Sequence, residues 1–276
     1  MKPLIKRNVM LYFRNKTNLF FSMLSVLIVV AVFAMFLGGF WEDEGLRDSW
    51  LMAGVMSMAT LTTSLGAFSR MIEDREDKIA KGFFAAPIPR SHVTVGYIIS
   101  PFIVSTIMTT LTGVAFGAFL LATGGELPSA AGLLHLVGLI ILSSLTATPI
   151  VCFIVSLLKT VDAFGTISTI IGTLAGFLMG IYMPIGNVPS AVRAVMMLFP
   201  PSHSTTLFRQ VLMERPMELA FYGAAIEVVQ EFSEELGVVF VIGNFEVTPL
   251  LNIAFMIASA ILFFLLSVVQ MRKFGR

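Results

Sequence analysis

Nine charged side chains crowd the twenty-one positions of RMIEDREDKIAKGFFAAPIPR, from Arg70 to Arg90, about a quarter of all the charges in a 276-residue sequence of which only 13% is charged. Four carboxylates (Glu73, Asp74, Glu76 and Asp77) alternate there with Arg75, Lys78 and Lys81. Such a set can pair with itself or hold a complementary partner. Read as a helix over about 70–82, it puts Glu73, Asp77 and Lys81 on one stripe and sets Asp74 four positions before Lys78, the favourable order for a helical ion pair. Two readings stay open: a solvated, self-paired helix, or a docking surface for a soluble protein. Pro87 and Pro89 end it.

No other cluster suggests catalysis. Three histidines and the single Cys152 offer neither a metal framework nor a disulfide, and Cys152 reads as an inert buried thiol. A net charge of +1 speaks against a nucleic-acid partner, which calls for a basic face. The remaining signal is steric. Gly165, Ser168, Thr169, Gly172, Gly176 and Gly180 share one face at 100° per residue, a doubled G-x-x-x-G pattern that lets another helix backbone approach. Gly54, Ser57, Thr60, Ser64 and Ala67 share another. Packing within one chain, a two-fold interface and the wall of a translocation path all fit these faces.

The elements that carry these residues follow from composition. With 57% hydrophobic residues and a mean hydropathy of +0.90, the chain is too apolar for a soluble domain, where about 25% of residues are charged. Six continuous apolar runs, at about 19–40, 50–68, 94–122, 133–158, 163–186 and 249–271, are each long enough for a helix across a hydrocarbon core of about 30 Å. They do not alternate as barrel strands would. The first run, at about 22 residues, exceeds the roughly 7–15 of a signal sequence's apolar region and reads as a retained span.

Lys and Arg set the expected orientation. The N-terminal segment, the 69–93 loop, the turn near Lys159 and the C-terminus hold 14 of them, the alternate connections only Arg47, Arg193, Arg209 and Arg215. Both termini are therefore expected in the cytoplasm. The 187–248 segment, on the outer side, is too long for a plain loop. Its first part is rich in Pro, Met and Phe; MELAFYGAAIEVVQEFSEELG is expected to form one amphipathic helix with Glu227, Glu231, Glu234 and Glu235 on one side.

The span interiors contain no Asp, Glu, Lys or Arg, so the ionisable groups of an ion-coupled transporter are hard to find. The chain also lacks a G-x-x-x-x-G-K-[ST] loop. Uphill transport would draw its energy from another polypeptide.

Four segments resemble the type-2 ABC transporter permeases. MKPLIKRNVMLYFRNKT, with Ile5, Val9, Tyr12 and Phe13 opposite Lys6, Arg7 and Arg14, is similar to that family's interfacial elbow helix. EDREDKIAKGFFAAPIPRSHVTVGYI resembles its charged loop before span three, GTISTIIGTLAGFLMGIYMPIGNVP its fifth span, and LFPPSHSTTLFRQ its Pro-x-x-His, five residues, Arg pattern, through Pro200, His203 and Arg209. Pro201 stands where the family more often has an aliphatic residue.

The resemblance implies an all-α polytopic membrane protein, one permease domain over 1–276: an elbow helix at 1–17, six spans, a coupling loop at 69–93, and re-entrant and amphipathic helices in the extracytoplasmic 187–248 segment. It implies a dimer with a second permease copy or a homologue, in the cell membrane of a bacterium or archaeon. It further implies a separate cytoplasmic ABC ATPase that binds ATP and Mg and docks at Glu73, Asp74, Arg75, Glu76, Asp77, Lys78 and Lys81, with the small-residue faces of spans two and five lining the path. No cofactor or metal is expected in this chain, and the cargo it suits is a hydrophobic or amphipathic drug, peptide or lipid moved outward. Two other readings remain: a membrane-embedded receptor or accessory subunit that transports nothing, and an ion-coupled secondary transporter.

Overall fold

The computed structural model describes residues 2–16, 19–20, 43–79, 82–83, 89–122, 126–243 and 245–271. The run expected to form the first span lies outside them apart from Leu19 and Phe20, as do Lys81 and Pro87. The described helices are α1 (Lys2–Arg14), α2 (Glu44–Glu76), α3 (Arg90–Ala122), α4 (Ala130–Leu157), α5 (Val161–Leu178), α6 (Ser190–Leu198), α7 (Pro200–Leu212), α8 (Glu214–Ala220), α9 (Ile226–Glu235) and α10 (Pro249–Met271). A 3-10 turn at Ile185–Asn187 precedes α6, and two short strands, β1 (Phe240–Ile242) and β2 (Phe245–Val247), precede α10.

Five of these helices are long and apolar enough to cross a membrane: α2, α3 from His92, α4, α5 and α10. Helix α2 is the axis of the bundle. Its 33 residues reach about 50 Å at 1.5 Å per residue, beyond what a hydrocarbon core of about 30 Å requires. The Asp43 carboxylate starts it by accepting from Leu46 N at 2.8 Å. Helices α3, α4, α5 and α7 all pack on it, α10 packs on α4 and α7, and α1 packs on α3.

Two apolar clusters stack along α2. One gathers Trp50, Met52 and Met56 with Phe116, Leu136, Leu207, Phe208 and Met256. The other gathers Leu61, Leu65, Phe68 and Ile72 with Tyr97, Val151, Cys152, Val155 and Met271. Small polar side chains bond across the helices between them: Ser105 Oγ donates to Thr60 O at 2.9 Å, and Ser64 Oγ lies 3.2 Å from Thr148 Oγ1. In an apolar medium such bonds and close packing hold helices together.

Three expectations about elements change. The fifth span ends at Leu178 rather than near 186, because Gly180 takes a left-handed φ of 64° and turns the chain. The acidic outer segment forms two helices, α8 and α9, broken around Gly223 at φ 78°. Strands β1 and β2 add an antiparallel pair to described residues that are otherwise helices and their connections, joining Phe240 to Val247 and Ile242 to Phe245.

Candidate functional site

The charged stretch is no separate helix over 70–82. It forms the last two turns of α2, which stops at Glu76; Asp77 caps the end and Lys78, at φ 62°, carries the chain off the helix axis. Lys78 therefore cannot reach Asp74 as an i, i+4 partner. Asp74 is only 2% exposed and turns into the protein, where Arg7 of α1 grips it with both terminal nitrogens at 2.6 and 2.7 Å. The Tyr97 hydroxyl of α3 donates to the same carboxylate at 2.7 Å. A bidentate guanidinium and a phenol supply the donors that a buried carboxylate needs. The Asp74 carboxylate in turn raises the Arg7 pKa above its ordinary value, mainly by accepting its hydrogen bonds. Arg7 thus leaves the solvated basic side of α1 on which its sequence position puts it.

The neighbouring charges are spent in the same way. Arg75 donates to the carbonyls of Ser156 and Leu158, at the end of α4, where a cation meets the negative pole of the helix. Glu76 accepts from Val161 N at 2.8 Å, joining the Thr160 hydroxyl in capping the start of α5. Glu73 pairs with Arg70 at 2.5 Å. Asp77 and Lys78 stay exposed. Three consecutive residues, 74 to 76, tie the end of α2 to α1, α3, α4 and α5, and the exposed pair lies directly beyond them.

At the other end of the bundle, α7 carries the Pro200, His203, Arg209 motif. Pro200 and Pro201 occupy the first positions of the helix, where the missing N–H costs nothing. His203 is buried; its Nδ1 lies 2.6 Å from Asn252 Oδ1 on α10 and its Nε2 2.7 Å from Met197 O. Burial pushes its pKa down, against the pull of those two contacts. His203 thus joins α7 to α10 and to the end of α6.

Arg209 is 2% exposed. Its Nη2 donates to Gly180 O at 2.6 Å and its guanidinium lies over the Trp50 ring at 4.6 Å. Ser202 Oγ donates to Leu178 O at 2.8 Å, so two side chains of α7 cap the carbonyl end of α5. A Cβ on Gly237, which has φ 69°, would come within 2.8 Å of Arg209 Nη1. This places the guanidinium against the carboxyl ends of both α5 and α9, where two helix dipoles offset its charge. Helix α7 also reaches the segment after α9 through Thr206 Oγ1 to Gly237 O and Gln210 Nε2 to Val238 O. These carbonyl partners, distant in sequence, are what a reading by motif misses.

The two small-residue faces part company. On α2, the Ser57 hydroxyl meets Ser204 and the Pro201 carbonyl, Thr60 and Ser64 are at most 1% exposed, and a Cβ on Gly54 would come within 3.0 Å of Ile181. The expectation that this face lines a path is therefore corrected: α7, α4 and the turn after α5 cover it. On α5, no described atom of another segment lies within 4 Å of where a Cβ on Gly165 or Gly172 would stand, Thr169 is exposed, and the Ser168 hydroxyl is buried without a hydrogen-bond partner among the described residues. Gly176 is buried beneath the Tyr182 ring and Gly180 belongs to the turn. The face that remains open is Gly165, Thr169 and Gly172, and packing among the described residues does not account for it.

Among the described residues no group of three or more His, Cys, Asp or Glu could hold a metal ion. A bundle of long apolar helices with a charged, cross-braced end defines a multi-pass helical membrane protein. The chain belongs to the ABC-2 type transporter family, whose model matches residues 1–213. It is accordingly the permease, the membrane transport subunit, of an ABC transporter. A comparison with curated proteins gives no match.

Proposed function

We propose that the chain is half of an exporter: two copies, or this chain and a homologous permease, share the membrane, and a separate cytoplasmic ATPase supplied with ATP and Mg docks at the Asp77–Lys78 end of α2. One observation carries this reading. Asp74, Arg75 and Glu76 link the end of α2 to four other helices, so a push on the exposed Asp77 and Lys78 moves α1, α3, α4 and α5 together. Helix α1 serves as the interfacial elbow, and both termini lie in the cytoplasm of a bacterium or archaeon. Helices α6 and α7 form the re-entrant pair of the outer side. The open α5 face, Gly165 to Gly172, lies at the two-fold interface or along the path. Its Gly, Ser and Thr residues among Ile170 and Leu174 suit hydrophobic or amphipathic cargo, whether drug, peptide or lipid.

The test uses the exposed pair. Exchanging its charges by Asp77→Lys with Lys78→Glu keeps the net charge and disturbs no buried contact, so the permease should insert and melt as the wild type does. Association with the ATPase that co-purifies with the wild type, and the hydrolysis it stimulates, should both disappear. Unchanged hydrolysis and transport would refute docking at this site.

A further inference from the structure

The geometry points to the β1–β2 hairpin as a lipid-docking element that inserts its tip, Ile242 and Phe245, into the bilayer leaflet at the amino-terminal end of α10. The inference rests on the chain being a membrane protein and not on its being an exporter.

Strand register makes the case. Directly opposed residues of an antiparallel pair project to the same side, and so do residues two apart on one strand. Phe240, Val247, Ile242 and Phe245 therefore share one face. The inner half of that face is used: Phe240 and Val247 are 3% and 8% exposed and pack with Ile185 and Met196. The outer half runs off the edge of the protein. Ile242 and Phe245, paired with each other, are 60% and 57% exposed. The opposite face carries Val241 and Glu246, so the charge on β2 lies away from the apolar face. Gly243, at φ 64°, sits in the turn at its tip.

Continuity selects lipid as the occupant. Only Thr248 separates β2 from α10, so the tip stands about 10 Å from the first turn of that helix at about 3.3 Å per strand residue. Leu250 in that turn is 75% exposed, and Leu251, Ile261, Leu262 and Leu265 continue an outward apolar surface along a helix fit to span the membrane. On the other flank, α6 buries Met196 in the same cluster as Phe240 and exposes Val192, Val195 and Leu198 at helical spacing. The hairpin tip thus sits between two apolar surfaces, and hydrocarbon is the solvent that covers all three. In water, each of these side chains would forgo the transfer energy of burying its apolar area.

The experiment places an environment-sensitive fluorophore, NBD, on the purified full chain in phosphatidylcholine vesicles, in a Cys152→Ser background, through Phe245→Cys, Ile242→Cys or, as an aqueous control, Glu231→Cys on α9. The probes at 242 and 245 should emit to the blue of the control. They should be quenched several-fold more by phosphatidylcholine carrying a nitroxide high on its acyl chain than by iodide in the buffer, with the reverse at 231. Iodide quenching at 242 and 245 equal to that at 231 would put the hairpin in water and overturn the proposal. Protection from both quenchers, with energy transfer between labelled chains, would assign the face to a second copy and overturn it equally. Both residues are more than half exposed, so either site carries the test should the other express poorly.

Discussion

Arg7 and Asp74, sixty-seven positions apart, face each other in a two-pronged ion pair of 2.6 and 2.7 Å, with the carboxylate buried and the guanidinium partly exposed. The pair converts an amphipathic helix, which could rest on a membrane by its apolar stripe alone, into a fixed member of the bundle. Leu4 adds contact: a Cβ on Gly96 of α3 would lie 2.8 Å from its Cδ2, so α1 and α3 approach closely there.

Removing one partner of such a pair leaves a buried charge uncompensated, which costs about 3–5 kcal/mol when both groups are deeply buried. The partial exposure of Arg7 reduces that, so Arg7→Ala should cost about 2–3 kcal/mol on the same scale. Asp74→Asn, which retains an acceptor for Tyr97, should cost less. Exchange of the two, Arg7→Asp with Asp74→Arg, should recover part of the loss. Thermal melting of the purified variants in detergent checks the order; equal melting of wild type and Arg7→Ala would show that α1 is held by packing alone.

The two small-residue faces respond differently to bulk. Gly54→Leu drives a side chain into Ile181 and should destabilise the chain by about 1–3 kcal/mol, the usual cost of overpacking. Gly172→Leu meets no described neighbour and should melt like the wild type, yet reduce transport, and the yield of dimer as well if the face is shared between copies. Crosslinking and transport assays in vesicles separate the effects. Full activity and dimer yield in Gly172→Leu would leave the α5 face to lipid.

Left-handed glycines divide in the same fashion. Gly223 (φ 78°) has open space around it and Gly237 (φ 69°) abuts Arg209 and Ile185. An alanine in this conformation costs about 1–2 kcal/mol, which is all Gly223→Ala should lose. Gly237→Ala adds a collision with a buried guanidinium and should lose clearly more, with lower yield after extraction. Indistinguishable melting of the two would mean that Arg209 shifts freely in its socket.

Orientation is tested by labelling. In the Cys152→Ser background, Glu231→Cys should react with a membrane-impermeant maleimide in intact cells, and Asp77→Cys only after the cells are opened. Both positions are exposed and Cys152 is buried, so reactivity reports sidedness. The opposite pattern would invert the topology and take the end of α2 away from any cytoplasmic ATPase.

The long helices were legible because apolar runs of this length have no other stable form in a membrane, and the family was legible in the order of runs, loops and the Pro200, His203, Arg209 pattern. The course of the charged stretch was not. No Pro or Gly separates Phe68 from Glu76, but a boundary drawn where the apolar run stops divides one helix into two. The hydrogen-bond partners of Asp74, Arg75 and Arg209 across the bundle lie twenty-three to eighty-three positions away, and two of the three use backbone carbonyls, which carry no mark in a sequence. The small-residue face of α2 looked identical to that of α5 because glycine and serine admit a close neighbour without specifying it; the placement of α7, α4 and the turn after α5 tells them apart. The hairpin's three-residue strands are too short for alternation to register.

Helix α5 is clamped like a beam at its supports, by Glu76 and Thr160 where it starts and by Ser202 and Arg209 where it stops, while between them Phe164 and Ile171 pack on the core and Thr169, Ile170 and Leu174 stay exposed. Substitutions at the clamps are screened by folding. Those at Thr169, Ile170 and Leu174 are screened by whatever lies beyond the described helices, so that side can drift in sequence without a new scaffold having to evolve around it.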